Sequence, residues 1–259
     1  YTCFPVYLPP MPIRTYRTFQ ALILAALGVF FLHKIWSGTL FWYINQRFMA
    51  LTLIAALGFL ALAQSVLQRR RENPDHDHAD ENHHHPHAPA FPAWTLLVVA
   101  LPVLLGVLIP AKPLGSSAIA NRGVNITAPL TAGAAQPAKL DLAPTDRTIL
   151  DWIRAFNYAS DPKSFAGQPA DVIGFVYHDS RLAGEQFLAG RFTVNCCVAD
   201  AMAIGVIVQW AGSKGLADNG WVRVRGSVQA SEIDGRPIPL IIAESVEPVS
   251  PPEQPYLYP

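Results

Sequence analysis

The sequence of 259 residues contains few cysteines and none of the common catalytic motifs. Three cysteines, two of them adjacent, cannot build a disulfide scaffold. No Ser-His-Asp order, phosphate-binding glycine loop or HExxH zinc motif occurs. We therefore expect that the protein is not an enzyme.

Basic charge is scarce in the C-terminal part of the chain. Residues 140–259 carry two Lys and seven Arg against nine Asp and five Glu, although the whole chain has a formal net charge of zero. Surfaces that bind nucleic acids are basic because they face phosphates. The acidic balance therefore predicts that this part of the chain does not bind nucleic acid.

Apolar residues concentrate before residue 111, in three runs at about residues 18–36, 48–67 and 91–109. A helix of about 17–25 apolar residues crosses the hydrocarbon of a bilayer and satisfies its own backbone groups. A signal peptide accounts for one such run but not for three, and three buried helices would be unusual in so short a soluble stretch. The sequence predicts a multi-pass membrane domain over residues 1–110, with the lipid bilayer as its partner.

Lysine and arginine in the flanks of these runs predict the orientation in the membrane. One side receives five basic residues, namely Arg14, Arg17, Arg69, Arg70 and Arg71. The other side receives four, namely Lys34, Arg47, Lys112 and Arg122. We expect the amino terminus in the cytoplasm and the C-terminal domain outside the inner or plasma membrane.

Six of the eight histidines lie in a polar loop at residues 72–90, between the second and third runs. Imidazole and the interleaved carboxylates bind zinc and other transition metals. The spacing lacks the fixed ligands of a structural site, so it indicates a flexible, weak site for metal buffering or sensing. The alternative is a polar linker whose exact residues matter little. The candidate ligands are His76, His78, His83, His84, His85 and His87.

Residues 111–144 are rich in Ala, Gly, Pro and Ser, which predicts a flexible linker. A soluble domain follows over residues 145–259. It begins with a helical pattern, TDRTILDWIRAF, with a capping candidate at Thr145. Apolar residues of this pattern occur at helical spacing, at Ile149, Leu150, Ile153 and Phe156.

Five stretches typical of strands follow, separated by turn signals at 218–220 and 234–237. They cover residues 171–178, 191–197, 203–210, 221–230 and 239–249. Arg223 and Arg225 partly alternate with apolar residues, as on a strand with one wet face, and Gly226 fits a bulge. The fold class predicted for the whole chain is three transmembrane helices followed by a small antiparallel barrel with one flanking helix. The five-stranded oligonucleotide/oligosaccharide-binding barrel is the preferred type.

Cys196, Cys197 and Asp200 form a second candidate site. Adjacent residues on a regular strand point to opposite faces, so both cysteines would not bind one ion. A turn after Asn195 would let one cysteine meet Asp200, as a metal half-site or a reactive thiol. A strained vicinal disulfide and a buried cysteine without function are the alternatives.

Asp200 is expected mainly to form a turn by accepting backbone N–H bonds, rather than to act as a catalytic acid. Three further polar residues lie in the loop after GFVYH and could line the same site or simply be solvated. They are His178, Asp179 and Arg181.

Several segments of the chain resemble those of a known family. They are PLGSSAIANRG at 113–123, GFVYHDSRLAGEQFLAGRFTVNCCVADAMAIGVIV at 174–208, WVRVRGSV and the closing PYLYP, and NCCVADA is the most specific. The chain is similar to the smaller, YcgQ-like subunit of a proposed two-component bacterial permease, a family with a C-terminal domain of unknown function. The resemblance implies an accessory subunit that pairs with a larger multi-helix permease. The alternative is a membrane-anchored thiol redox or metal-sensing protein that uses the cysteine pair.

Overall fold

The structure is a computed structural model that describes residues 13–72, 94–123 and 142–258, except residues 183 and 234. The chain divides into two compact units. The first comprises Tyr1–Leu40 and Gln46–Ala111, and the second comprises Phe41–Asn45 and Lys112–Pro259. The short segment Phe41–Asn45 therefore belongs to the C-terminal unit, although it joins two helices of the first.

The first unit contains two helices that are long and apolar enough to cross a membrane. Helix α1 spans Ile13–Trp36 and helix α2 spans Met49–Glu72, with 24 residues each. At 1.5 Å per residue each is about 36 Å long, which exceeds the roughly 30 Å of hydrocarbon in a bilayer.

The third predicted span is shorter than expected. Helix α3 covers Trp94–Leu108, only 15 residues and therefore about 22 Å. Its described length does not reach across a bilayer, so three full-length membrane helices are not supported. Residues 91–93 of the predicted span lie outside the described residues.

Small residues allow α1 and α2 to pack closely. Ala21 and Ala56 are buried, and a Cβ atom at Gly28 would lie 2.7 Å from the side chain of Leu60. Small residues at such contacts let helix backbones approach each other in membranes. Several large apolar side chains of the two helices point outward instead and are exposed, including Leu22, Val29, Leu51, Ile54, Leu57 and Leu62.

The second unit is built on one six-stranded sheet. Its strands are β1 Pro169–Tyr177, β2 Gln186–Thr193, β3 Met202–Gln209, β4 Trp221–Ile233, β5 Arg236–Pro248 and β6 Tyr256–Leu257. The order is β1-β4-β5-β3-β2-β6, and β1 also pairs with β2. Strands β1 to β5 therefore form a closed circuit of pairings, with β6 added beside β2.

The sheet is mixed, so the prediction of a purely antiparallel domain was wrong. β5 pairs parallel with β3, and the two-residue strand β6 pairs parallel with β2. Each of the five stretches predicted as strands overlaps a strand, but the stretch 191–197 shares only its first three residues with β2. Periodicity within a stretch carries no information about the direction of its neighbour. Strand β6 is too short to give a periodic signal.

The bulge predicted at Gly226 is confirmed. The register between β4 and β5 shifts between Arg225 and Gly226. A Cβ atom at Gly226 would lie 2.1 Å from the carbonyl oxygen of Ile242, so this approach of two strands requires glycine.

Helix α5, at Ile149–Tyr158, packs into the main hydrophobic core of the second unit. The four apolar residues predicted for its inner face are all buried. The cap is Thr148 rather than Thr145, because Pro144–Asp146 forms a separate 3₁₀ turn. The Thr148 side chain accepts the Asp151 N–H, and the Asp151 carboxylate accepts the Thr148 N–H, which is a capping box.

A short helix, α4 at Ser116–Arg122, occupies part of the predicted linker. Its residue Ile119 is buried in a second apolar cluster with Phe175, Phe192 and Trp221. The isolated apolar residue anchors the segment, which composition alone does not reveal. Residues 124–141 of the predicted linker lie outside the described residues.

Candidate functional site

The candidate site is the loop that follows β2. The strand ends at Thr193, and the chain turns through Asn195 into a 3₁₀ turn at Val198–Asp200 before β3. The two cysteines therefore lie in a loop rather than on a regular strand, and they are not forced onto opposite faces. Cys196 is exposed and Cys197 is partly buried.

Asp200 holds this loop together from inside the turn. Its carboxylate accepts the backbone N–H of Asn195 at 2.9 Å and that of Cys196 at 2.7 Å. The N–H of Cys197 contributes a longer contact of 3.4 Å. These bonds confirm the prediction that Asp200 is a turn-forming residue.

The turn brings three potential metal ligands together. The Sγ atoms of Cys196 and Cys197 are 3.7 Å apart, and these atoms and an Asp200 carboxylate oxygen all lie within 4.8 Å of one another. Two thiolates and a carboxylate suit zinc, which usually takes four ligands, so at least one position would remain for water or another group. Within the described ranges this is the only cluster of three or more such side chains.

The Asp200 carboxylate also makes the Cys196 thiol a poor acid. It raises the pKa of Cys196 to about 11, because it accepts a hydrogen bond from the thiol and repels the thiolate; the neighbouring Cys197 acts in the same direction. Thiolate, not thiol, is the nucleophile and the metal ligand. The loop as it stands therefore holds its thiol protonated at neutral pH, and a bound metal would have to displace that proton.

The same loop is bound to the segment Phe41–Asn45. The N–H of Asn45 donates to the Cys196 carbonyl at 2.9 Å, and the N–H of Val198 donates to the Tyr43 carbonyl at 2.8 Å. Ile44 and Cys197 form an antiparallel bridge. The connection between α1 and α2 thus acts as an extra strand-like edge for the cysteine loop.

Three further hydrogen bonds fix this arrangement. The buried side chain of Asn45 donates to the carbonyls of Val194 at 3.3 Å and Asn195 at 2.9 Å. The Tyr256 hydroxyl donates to the Trp42 carbonyl at 3.1 Å. The sequence analysis did not single out Asn45, although a polar residue just after an aromatic run is a usable signal.

The other loop residues have their own partners. The His178 ring nitrogens lie 2.8 Å from Asp218 and 3.1 Å from the Ser213 carbonyl oxygen, and Asp179 pairs with Arg181 at 2.6 Å. The partners of His178 and Asp179 shown by these contacts are not residues of the cysteine loop. The histidine tract at residues 73–87 lies outside the described residues, so its metal binding remains a prediction.

The geometry defines a class of protein: a membrane-associated chain with two long apolar helices and a mixed-sheet domain that incorporates the connection between them. Comparison with known proteins agrees with this class. The DUF1980 N-terminal domain matches residues 19–125, and the DUF1980 C-terminal domain matches residues 136–259. The chain belongs to the DUF1980 family.

Two curated relatives cover nearly the whole chain. A protein of Streptococcus mutans is 24% identical over 261 residues, covering 86% of this chain and 92% of its own; its name assigns it, as a proposal, to a two-component membrane permease complex as a subunit. The UPF0703 protein YcgQ of Bacillus subtilis is 24% identical over 285 aligned positions, covering 93% of this chain and 99% of its own. The family resemblance inferred from the motifs is confirmed.

Proposed function

We propose that this protein is an accessory subunit of a two-component membrane permease complex, and that it pairs with a larger multi-helix permease. The observation that carries the proposal is the name of the S. mutans relative, which aligns with 86% of this chain. The proposal assigns no catalytic step to the chain, consistent with the lack of catalytic motifs in the sequence.

The surface of the helices supports a membrane partner. Leu22 on α1 and Ile54 on α2 are 59% and 67% exposed, and most large apolar residues of α3 are exposed as well. Such surfaces are stable only against lipid or protein. A subunit that docks on a larger permease would cover part of this surface and leave the rest to lipid.

The chain connectivity supports three crossings despite the short α3. If α1 and α2 both cross, the segment Phe41–Asn45 lies on one side and Glu72 lies on the other. Residues 112–259 share a compact unit with Phe41–Asn45, so they lie on its side. The chain must then return between Glu72 and Lys112, and α3 is the apolar helix described there. A short crossing is accommodated by local thinning of the bilayer.

The basic cluster at residues 69–71 supports a cytoplasmic position for the end of α2, and the proposal therefore puts the C-terminal domain outside the cytoplasm. The closed circuit of β1 to β5 supports a small barrel of the oligonucleotide/oligosaccharide-binding type for that domain. The same type of barrel serves many functions, so the barrel alone names no ligand.

Labelling of introduced cysteines in intact cells tests the topology. In a background without Cys3, Cys196 and Cys197, an impermeant maleimide should label Glu253→Cys, which is an exposed position of the domain. Ala79→Cys should react only after the cells are permeabilised. Labelling of both positions, or of Ala79→Cys alone, in intact cells would contradict the proposed orientation.

Photo-crosslinking from the helix surface tests the partner. A photoreactive residue at Leu57, which is 53% exposed, should capture a larger multi-helix membrane protein in native membranes. The matched control is the neighbouring Ala56, which is fully buried and should capture α1 of the same chain. If every exposed position of α2 crosslinks only to lipid, and the extracted chain migrates alone, the subunit proposal fails.

A second candidate function is favoured by the geometry of the cysteine loop. The short distances among Cys196, Cys197 and Asp200 suit a metal-sensing or redox dithiol outside the cytoplasm. Cadmium titration of the full chain should give a thiolate charge-transfer band that Cys197→Ser diminishes and Ser250→Ala leaves unchanged. A titration without such a band leaves no metal role for this loop.

Metal handling by the histidine tract would extend the first proposal. Neutral imidazole is the ligand, with an ordinary pKa of about 6.5, so zinc affinity should fall steeply between neutral pH and about pH 5.5. A flexible tract must become ordered on binding, so micromolar affinity is expected. Titration of the peptide 73–87 with zinc at two pH values tests this. Millimolar binding, or no dependence on pH, would make the tract a spacer.

A further inference from the structure

The backbone of the cysteine loop is held from two sides at residues 195–197. On one side the Asp200 carboxylate accepts three backbone N–H groups, those of Asn195 at 2.9 Å, Cys196 at 2.7 Å and Cys197 at 3.4 Å. The N–H of Asp200 in turn donates to the Cys197 carbonyl at 3.0 Å. The carbonyls of Asn195 and Cys196 take their hydrogen bonds from the other side.

Asn45 supplies the donors for these two carbonyls. Its backbone N–H donates to the Cys196 carbonyl at 2.9 Å. Its side-chain amide donates to the carbonyls of Asn195 at 2.9 Å and Val194 at 3.3 Å, and Asn45 is only 3% exposed, so little water can compete for these bonds. Every backbone donor and acceptor of residues 195–197 is therefore engaged within the protein, although loops normally leave such groups to solvent.

This double attachment fixes the atoms that could bind a metal. The sulfurs of Cys196 and Cys197 are 3.7 Å apart, and both lie within 4.8 Å of an Asp200 carboxylate oxygen. Ligands that are held in place before binding avoid the entropy cost of ordering them. Residues that orient metal ligands from outside the coordination shell commonly change metal affinity about 10–100-fold. Asn45 has this position, because it bonds the backbone of the ligand residues.

Asn45 itself is held in place by its neighbours in the chain. It ends the segment Phe41–Asn45, and the N–H of Val198 donates to the Tyr43 carbonyl of that segment at 2.8 Å. Attachment of the segment and metal binding therefore act on the same few residues of the loop. Coupling of this kind is reciprocal, so a segment that strengthens metal binding is itself held more firmly when metal is bound.

We propose that Asn45 is a positioning residue of the metal site in the cysteine loop, and that metal binding there strengthens the attachment of Phe41–Asn45. The inference rests on the metal-sensing candidate function and adds its regulation. Because the same segment joins α1 to α2 in the chain, it registers whether the site is occupied.

Cadmium titration of the full chain in detergent, in a Cys3→Ser background, tests the positioning role. The thiolate charge-transfer band is the signal, so binding by the histidine tract does not contribute to it. Asn45→Ala should raise the Kd for cadmium about tenfold or more. The band at saturation should keep its height, because both sulfur ligands remain.

Ser213→Ala is the matched control for this titration. Ser213 is also buried, and its hydroxyl also donates to a backbone carbonyl, that of Gly184 at 3.4 Å. It lies in the loop between β3 and β4 rather than in the cysteine loop. Ser213→Ala should therefore bind cadmium like the original chain.

Hydrogen exchange tests the reciprocal effect without changing Asn45. Saturating cadmium should slow exchange of the Asn45 and Val198 amides, which join the segment to the loop. A residue needed only for folding predicts no such response. The same measurement on Cys197→Ser, which lacks one sulfur ligand, should show no slowing.

The two measurements separate failure of the inference from failure of the metal site. A cadmium band in the original chain with equal affinity in Asn45→Ala, or with no change in exchange at the two amides, would overturn the inference and leave the metal site standing. Absence of the band in the original chain would refute both. If Asn45→Ala does not fold, hydrogen exchange of the original chain decides alone.

Discussion

Replacing Asp200 with Asn tests whether its carboxylate controls the Cys196 thiol. The pKa of this thiol is about 11, against an ordinary value of 9.0, and the Asp200 side chain is the largest cause. Without the charge, the pKa should fall by up to about two units, which raises the thiolate fraction near neutral pH about 100-fold. A thiolate of lower pKa is a weaker nucleophile, by roughly 6–10-fold for this change, so the net gain in alkylation rate is about tenfold.

The assay is the rate of iodoacetamide alkylation of the full chain at about pH 7.5, in a Cys3→Ser background. Thiolate is the form that reacts with iodoacetamide. Tandem mass spectrometry separates modification of Cys196 from that of Cys197. The two carboxylate oxygens accept N–H bonds from different residues, so the single oxygen of asparagine can replace only one of them. The comparison therefore uses only variant chains whose circular dichroism spectrum matches that of the original chain. The matched control is Asp179→Asn, which removes a hydrogen-bonded carboxylate that pairs with Arg181 instead.

The pH profile gives a second readout of the same effect. The alkylation rate of the original chain should keep rising towards about pH 11, whereas that of Asp200→Asn should level off nearer 9. An alkylation rate within twofold of the original in a folded Asp200→Asn chain would refute the electrostatic argument. Equal acceleration in Asp179→Asn would refute it as well, because the effect would then not be local.

Three further predictions concern the stability of the C-terminal unit and are measured by urea unfolding of the full chain in detergent. Asp171→Asn should lower the free energy of unfolding by about 2 kcal/mol at neutral pH. The hydrogen bond from Arg223 lowers the pKa of Asp171, so this stability is present above the unfolded pKa and is lost as pH falls through the folded pKa, below about 3.8. A penalty that persists at that low pH would contradict the ion-pair explanation. Gly226→Ala should cost about 2 kcal/mol or more, because its Cβ would meet a backbone carbonyl, whereas Gly215→Ala, with open space around it, should be nearly neutral; equal effects would refute the steric argument. Thr148→Ala should cost about 1 kcal/mol through loss of the α5 cap, and an unchanged free energy of unfolding would show that the cap contributes nothing.

The local elements were predictable because they depend on local patterns. The apolar runs of α1 and α2, the inner face of α5 and the bulge at Gly226 each leave a signal within a few residues of sequence. The end of α3 at Leu108 lies within one residue of the predicted bound, because the apolar run itself stops there. The predicted start of this span lies outside the described residues.

The candidate sites were predictable only as sets of residue types. Adjacent cysteines followed by an aspartate stand out in the sequence, and their preference for a turn follows from Asp200. The distance of 3.7 Å between the two sulfur atoms could not be predicted from these residues, because it depends on where β2 ends. Asn45 lies about 150 residues before this loop, so its bonds to the loop leave no local signal.

The sequence by itself determined two long apolar helices, the approximate positions of five strands and the family, because hydrophobic periodicity, turn residues and rare motifs are properties of contiguous residues. The tertiary structure alone decided the parallel pairing of β3 with β5, the incorporation of Phe41–Asn45 into the C-terminal unit and the burial of Asn45. Each of these depends on contacts between residues far apart in the chain. Such contacts are chosen by the packing of the whole unit, which no local pattern encodes.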